Sequence, residues 1–343
     1  MDIIRIFEYA VEHGASDVIL SAGSAPLLRI DGSIERLGRR ELTAEDVKSM
    51  AYSVIDKSQV ARFEQTHELD FSISVGQKYR FRGNVAHQRG TITAVFRHIP
   101  SRIPSFAELA LPQTLEELCS AHSGLFLITG ATGMGKSTTL ASMIAFINAT
   151  RKVHVITIED PIEFVHTNRH AVIEQRELGT DTNSFDVALR QALRQSPDVI
   201  MVGEMRDLDT MATAITAAET GHLVFATLHT RDASQSIDRV TDSFPPHQQN
   251  QIREQLSVSL LGVLSQRLFA RIGGGRVVCT ELLINNSASA NLIREQKVYQ
   301  LPTVIETNAR TGMHTFERSL KELVSRSMIE KVDAEKFLGR PIG

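Results

Sequence analysis

No tryptophan occurs in the 343 residues, and aromatics make up only 6% of the chain. So few rings leave little for bases to stack on, which argues against a single-strand nucleic-acid binder. A basic surplus is missing as well. The formal net charge is -3, so the chain as a whole carries no electrostatic footprint for nucleic acid. The two cysteines, Cys119 and Cys279, are too few for a four-cysteine zinc site or a disulfide framework, and a reducing compartment suits them. No apolar run approaches the ~18 residues that span a bilayer. The opening MDIIRIFEYAVEHG carries acids and sets Ile3, Ile4, Phe7, Ala10 and Val11 at helical spacing, so it reads as an amphipathic helix and not a signal peptide. What remains is an ordinary globular composition, 42% hydrophobic and 22% charged, long enough for two cores.

The chain is organised around Gly130-Ala131-Thr132-Gly133-Met134-Gly135-Lys136-Ser137, followed by Thr138. This fits G-x-x-x-x-G-K-[ST], whose backbone N–H groups cradle the phosphates of a nucleoside triphosphate such as ATP. Glycines are required because the loop wraps phosphate through backbone angles that a side chain forbids. Lys136 reaches the β and γ phosphates, and Ser137 offers a hydroxyl to Mg²⁺. The context agrees with the motif. Leu125–Thr129 is a short apolar run that reads as a buried strand, and Thr138–Asn148 reads as a helix pointing its N-terminus at the phosphates.

Three segments follow from the patterning: an α+β domain over 1–99, a proline-rich linker over 100–112, and an α/β domain over 113–343. In the first, Asp17–Leu20, Pro26–Asp31 and Phe71–Val75 are candidate strands, with Asp31-Gly32 a turn signal. Thr43–Phe63 reads as one helix capped by Thr43. Between Asp70 and Glu108 there is no acid, while Lys78, Arg80, Arg82, Arg89, Arg97 and Arg102 all occur. Strand alternation would put Lys78, Arg80 and Arg82 on one face. That face is either a solvated surface or an anion site, and spacing alone favours the first.

In the third segment, strands predicted at Leu125–Thr129, Val153–Ile158, Asp198–Val202 and Leu223–Leu228 alternate with helices, implying a mostly parallel sheet covered on both faces. After three of them come Glu159, Asp160 and Glu163; Gly203 and Glu204; and His229. Carboxylates and an imidazole at these ends, beside a phosphate loop, make a phosphoryl-transfer constellation in which Mg²⁺ and an attacking water need acidic neighbours. The usual aspartate before Glu204 is replaced by Gly203. Beyond it, His247–Leu264 reads as a long helix, on the stripe Leu256, Leu260 and Leu264. A hairpin around Gly273–Gly275 with return strand Val277–Ile284 follows, then helices at Ala288–Val298 and Met313–Ser327.

These segments resemble the secretion ATPase superfamily. Val155–Phe164 is similar to its Asp box, Arg190–Asp207 to its atypical Walker B region, including the glycine before the glutamate, and Thr220–Thr230 to its His box. Within the superfamily the chain resembles the type IV pilus retraction ATPases over nearly its whole length. The resemblance implies an N-terminal PAS-like domain and a C-terminal RecA-like ATPase domain. It implies a homo-hexamer that hydrolyses ATP with Mg²⁺ and powers pilus retraction and twitching motility. Such a motor would lie on the cytoplasmic face of the inner membrane, against a platform protein and without nucleic acid. It gives Glu163 the role of orienting water, Glu204 support of the metal region, and His222 and His229 sensing of the γ-phosphate; beside it, the strand-end acids Glu159 and Asp160, with Glu204, are candidates to reach Mg²⁺ through water. Arg80, Arg82 and Arg97 would complete the nucleotide site. Two departures from the retraction pattern stand out: Ala290 replaces the first arginine of the signature at 288–295, and Ile19 stands where a histidine is common. An accessory or specialised assembly or secretion ATPase is the alternative, and a RecA-like nucleic-acid motor the remoter one.

Overall fold

The computed structural model describes residues 2–30, 32–76, 79–99 and 102–342. Asp31 of the expected turn, Lys78 of the basic run, and Pro100 and Ser101 of the expected linker lie outside the described residues. The chain divides into two compact units, Met1–Arg102 and Ile103–Gly343.

The first unit begins with helix α1 (Ile3–Glu12), whose Asp2 cap accepts from Ile4 N. Then come β1 (Asp17–Ser21), β2 (Leu27–Ile30), β3 (Ser33–Arg36), α2 (Ala44–Tyr52), α3 (Lys57–Thr66), β4 (Glu68–Val75), β5 (Tyr79–Gln88) and β6 (Thr91–Ile99). The strands form an antiparallel sheet ordered β3-β2-β1-β6-β5-β4. Phe7, Phe63, Phe81 and Phe96 are fully buried aromatic side chains of its core, with Phe7 stacked on Phe81 at 4.3 Å between ring centroids. The single helix expected over 43–63 is two. Asp56 accepts from the backbone of Ser58 and Gln59 while Gln59 reaches back, a capping box that starts α3 afresh.

In the second unit, helix α4 (Thr114–Cys119) leads into β7 (Gly124–Thr129), α5 (Lys136–Thr150), β8 (His154–Glu159), β9 (Val172–Glu177), α6 (Phe185–Ala192), β10 (Val199–Val202), α7 (Leu208–Glu219) and β11 (Leu223–Leu228). They are followed by α8 (Ala233–Asp242), α9 (Pro246–Ser259), β12 (Leu260–Ala270), β13 (Arg276–Ile284) and helices α10 (Ser287–Arg294), α11 (Leu301–Thr307), α12 (Phe316–Ser325) and α13 (Lys331–Leu338). The sheet is ordered β13-β12-β7-β11-β10-β8-β9, parallel throughout except for the β12–β13 hairpin. Its strands β7, β8, β10 and β11 are buried on both faces, as the α/β pattern demands.

Two expectations are corrected. The proline-rich stretch is not an extended linker after Ile103. Phe106 and Leu111 are buried, Phe106 stacks on Phe146, and Pro104 O accepts from Ser142 Oγ at 2.7 Å, because apolar side chains there find a surface on α5. The long helix expected over 247–264 ends at Ser259. Leu260 and Leu264 instead belong to β12, which pairs with the phosphate-loop strand β7.

Candidate active site

Between β7 and α5 the loop Gly130–Gly135 turns through positive φ at Gly130, Gly133 and Gly135. Only at Gly130 is the space also closed, since a Cβ there would lie 2.6 Å from Gln266 O of β12. The close backbone approach therefore requires glycine at that place. Lys136, buried in the first turn of α5, donates from Nζ to Gly130 O at 2.6 Å and to Ala131 O at 3.1 Å. Burial depresses its basicity, and the Glu204 carboxylate opposes that shift. Ser137 is exposed and Thr138 half-buried, both at the mouth of the loop. Met134 turns back, its sulfur 3.4 Å from the Leu268 amide of β12.

The parallel strands β7, β8, β10 and β11 end at one edge, where open α/β sheets gather their ligands. A polar chain runs along it. Thr132 Oγ1 faces His229 Nδ1 at 3.5 Å, and His229 Nε2 lies 2.8 Å from Glu204 Oε1. Arg206 Nε donates to Glu204 Oε2 at 2.8 Å, and its Nη1 lies 3.7 Å from Asp160 Oδ2. Thr132, His229, Glu204 and Asp160 are thus brought together as the sequence suggested. Arg206, not singled out as a site residue there, joins Glu204 to Asp160. The glycine before Glu204 now has a cause. A Cβ at Gly203 would lie 3.1 Å from Ile158 O and 3.4 Å from Glu159 Cα, so an aspartate there would be crowded against β8.

Glu159 and His222 are placed differently from expectation. Glu159 is buried, and its carboxylate accepts from Thr157 Oγ1 at 2.6 Å and Gln175 Nε2 at 3.1 Å. Burial raises its pKa, against the pull of Thr157, Gln175 and the Glu163 amide. It faces into the fold and is engaged there, so it is withdrawn from the metal set. His222 precedes β11, whereas His229 follows it. The His222 carbonyl accepts from Gly124 N at the start of β7, and its ring faces Ala217 O at 3.0 Å. Seven steps of extended chain set the backbones of the two residues roughly 23 Å apart. His222 thus lies at the opposite edge of the sheet from the phosphate loop.

Glu163, half-buried, sits in the loop after β8. Gln175 of β9 holds this loop by three contacts. Its Nε2 donates to Glu159 and to Phe164 O at 2.8 Å, and its Oε1 accepts from His166 N at 2.8 Å. Nearby, Glu177 accepts from Ile162 N at 3.2 Å. Burial alone pushes the His166 ring down to about 4, which favours the neutral imidazole. Gln175 and Glu177 carry no spacing signal and were missed for that reason.

The arginines expected at the nucleotide all lie in the first unit. Cross-strand pairing makes a row of Arg29, Asp17, Arg97, Arg82 and Ser72. Asp17, 4% exposed, accepts from Arg97 Nε at 2.9 Å and lies 3.5 Å from Arg29 Nε. Arg82 approaches Asp70 at 3.9 Å, and Arg80 lies two residues away on the same face of β5. The row is a cationic face organised by one buried carboxylate.

Among the described residues no group of three or more His, Cys, Asp or Glu side chains could by itself hold a metal ion, and no helix is long and apolar enough to cross a membrane. Residues 2–274 match the family model described as type II/IV secretion system protein. The chain is 45% identical, over 98% of its length and 98% of the relative's, to the type IV pilus retractation ATPase PilT of Pseudomonas aeruginosa. It is 46% identical to a twitching motility protein of Neisseria gonorrhoeae, over 89% of this chain and 82% of that one. In structure it is similar to the pilus retraction motor PilT crystallised with ADP, with a TM-score of 0.93, 48% identity, and coverage of 98% of this chain and 96% of that one.

Proposed function

The chain belongs to the type II/IV secretion system protein family as a P-loop ATPase, and we propose from this premise that it is the motor that powers type IV pilus retraction. The observation that carries the motor reading is the chain Thr132–His229–Glu204–Arg206–Asp160, which ties the phosphate loop to three neighbouring strand ends, those of β11, β10 and β8. A site built this way feels the γ-phosphate at one end and moves strands at the other.

ATP hydrolysis needs phosphates held, charge stabilised and a water aimed in line. Backbone amides of Gly130–Gly135 and the Lys136 ammonium hold the phosphates. Glu163 orients the attacking water and takes up its proton as the bond to the γ-phosphorus forms and the bond from it to the departing ADP oxygen breaks. His229 shares its imidazole between Thr132 and Glu204, so it reports whether the γ-phosphate is present. The residues fit a divalent ion: the exposed Ser137 hydroxyl would hold Mg²⁺ beside the phosphates, with Asp160 and Glu204 reaching it through water. When bound, the ion neutralises developing charge on the phosphate oxygens.

The motor works as a homo-hexamer in which Arg80, Arg82 and Arg97 complete a nucleotide site. It acts at the cytoplasmic face of the inner membrane on a pilus platform protein. Ala290, 8% exposed in α10, and Ile19, half-buried in β1, are packed in their own units, so both departures from the retraction pattern are accommodated locally. The test is pilus number on cells lacking the gene, complemented with wild type or with Lys136→Ala. Excess pili that cannot shorten, cured only by wild type, establish retraction. Loss of pili moves the protein to assembly, and unchanged pili move it to an accessory or secretion role.

A further inference from the structure

Two loops meet at the reaction edge, and both are rooted in the β12–β13 hairpin. Thr129, the last residue before the phosphate loop, donates from Oγ1 to Ser265 Oγ at 3.0 Å, and both residues are fully buried. Directly opposite Ser265 on β13 is Glu281. Its Oε1 accepts from the main-chain N–H of Ala233 at 3.1 Å. Ala233 opens α8, four residues after His229. Thr129, Ser265 and Glu281 therefore form one cross-strand row, with the phosphate loop leaving from one end and the His229 loop held at the other.

Glu281 is 9% exposed, and nothing in the hydrolytic scheme employs it. Burial pushes its carboxyl up to about 7, opposed by the Ala233 amide and reinforced by Asp232. Enclosing a carboxyl group is costly unless it accepts hydrogen bonds that need it. A helix start presents several amides without intrahelical partners. Asp232 takes the Gln235 amide at 2.8 Å, and Glu281 takes that of Ala233 from the sheet side. Thr230 adds a 2.7 Å contact to Ser236, so the segment between His229 and α8 is held at several places.

We propose that Glu281 is a positioning residue for hydrolysis: by holding the Ala233 amide it sets the spacing between the phosphate loop and His229, so that the imidazole spans Thr132 and Glu204. The inference rests on the reading that the His229–Glu204 pair takes part in ATP turnover.

The test compares the purified full-length chain as wild type, Glu281→Gln, Glu281→Leu, His229→Ala, and Glu281→Leu combined with His229→Ala, with melting curves to confirm folding. Gln keeps an acceptor and Leu does not. Glu281→Leu is expected to lower kcat about tenfold with KM for ATP changed less than about twofold, while Glu281→Gln stays within about twofold of wild type. In the His229→Ala background Glu281→Leu should cost nothing further, because the residue it positions is gone. A purely structural role would show its full effect in both backgrounds, and that result overturns the proposal. So does wild-type kcat in Glu281→Leu. Normal turnover in His229→Ala would overturn the underlying reading as well, whereas an impaired His229→Ala beside an unimpaired Glu281→Leu rejects the positioning role alone. If the leucine variant does not fold, Glu281→Asp, which withdraws the acceptor by one methylene, is judged by the same criteria.

Discussion

His229 Nε2 and Glu204 Oε1 lie 2.8 Å apart, joining the end of β11 to the end of β10. Because Glu204 also receives Arg206, its charge holds two donors from different directions. Glu204→Gln keeps the size and removes that charge. It should leave ATP binding within a few-fold and cut steady-state hydrolysis by about 10²-fold, because the charge that holds His229 and Arg206 beside the phosphate loop is gone. Nucleotide titration beside a phosphate-release assay checks this.

Lys136→Ala removes the ammonium that sits inside the loop. ATP affinity and turnover should both collapse, with hydrolysis down about 10³-fold, because the same charge serves the bound phosphates and the transition state. Equilibrium binding of a fluorescent ATP analogue separates this from loss of turnover alone.

Glu163→Gln removes the carboxylate proposed to take the proton from water. Here kcat should fall about 10²–10⁴-fold with little change in KM. The variant should accumulate bound, unhydrolysed ATP, which chromatography of the denatured complex would reveal. Normal turnover would remove Glu163 from the water-orienting role.

Arg82→Ala should slow hydrolysis by at least about 10-fold where rings are assembled and have no effect at dilutions where they dissociate. A defect independent of protein concentration would mean that Arg82 does not serve a neighbouring subunit's nucleotide.

Glu281 gives a pH dependence to stability. Its folded-state value, about 7, lies above the ordinary 4.5, so the folded chain binds the proton more tightly than the unfolded one. The stabilisation is fully present below about 4.5 and is lost as pH rises through about 7. At most roughly 3 kcal/mol is involved. Glu281→Gln should therefore melt higher than wild type at pH 8 and lose that advantage towards pH 5, read by calorimetry at the two pH values.

The phosphate loop, the acidic strand ends and His229 were legible in the sequence because each depends on short spacings next to a strand. Other features were not. The stripe Leu256, Leu260 and Leu264 fits a helix by its four-residue step, yet β12 is buried on both faces and so shows no alternation to betray a strand. The break between α2 and α3 hinges on the reciprocal contact of Asp56 with Gln59, which periodicity does not register. His222 and His229 look like neighbours in a motif, but extended chain carries them to opposite edges of the sheet. Gln175 and Glu281 are single polar residues in strands, and only the folded arrangement shows what they hold.

Gln175 has a mechanical consequence. Strand β9 is the last in the sheet, and its outer edge has no partner strand among the described residues. Through one amide it grips the segment on both sides of Glu163, at Glu159, Phe164 and His166. A shift of β9 along its length would therefore pull on the loop that carries Glu163, the residue proposed above to orient water. The edge strand and the loop that carries Glu163 are thus clasped into one mechanical piece by a single side chain.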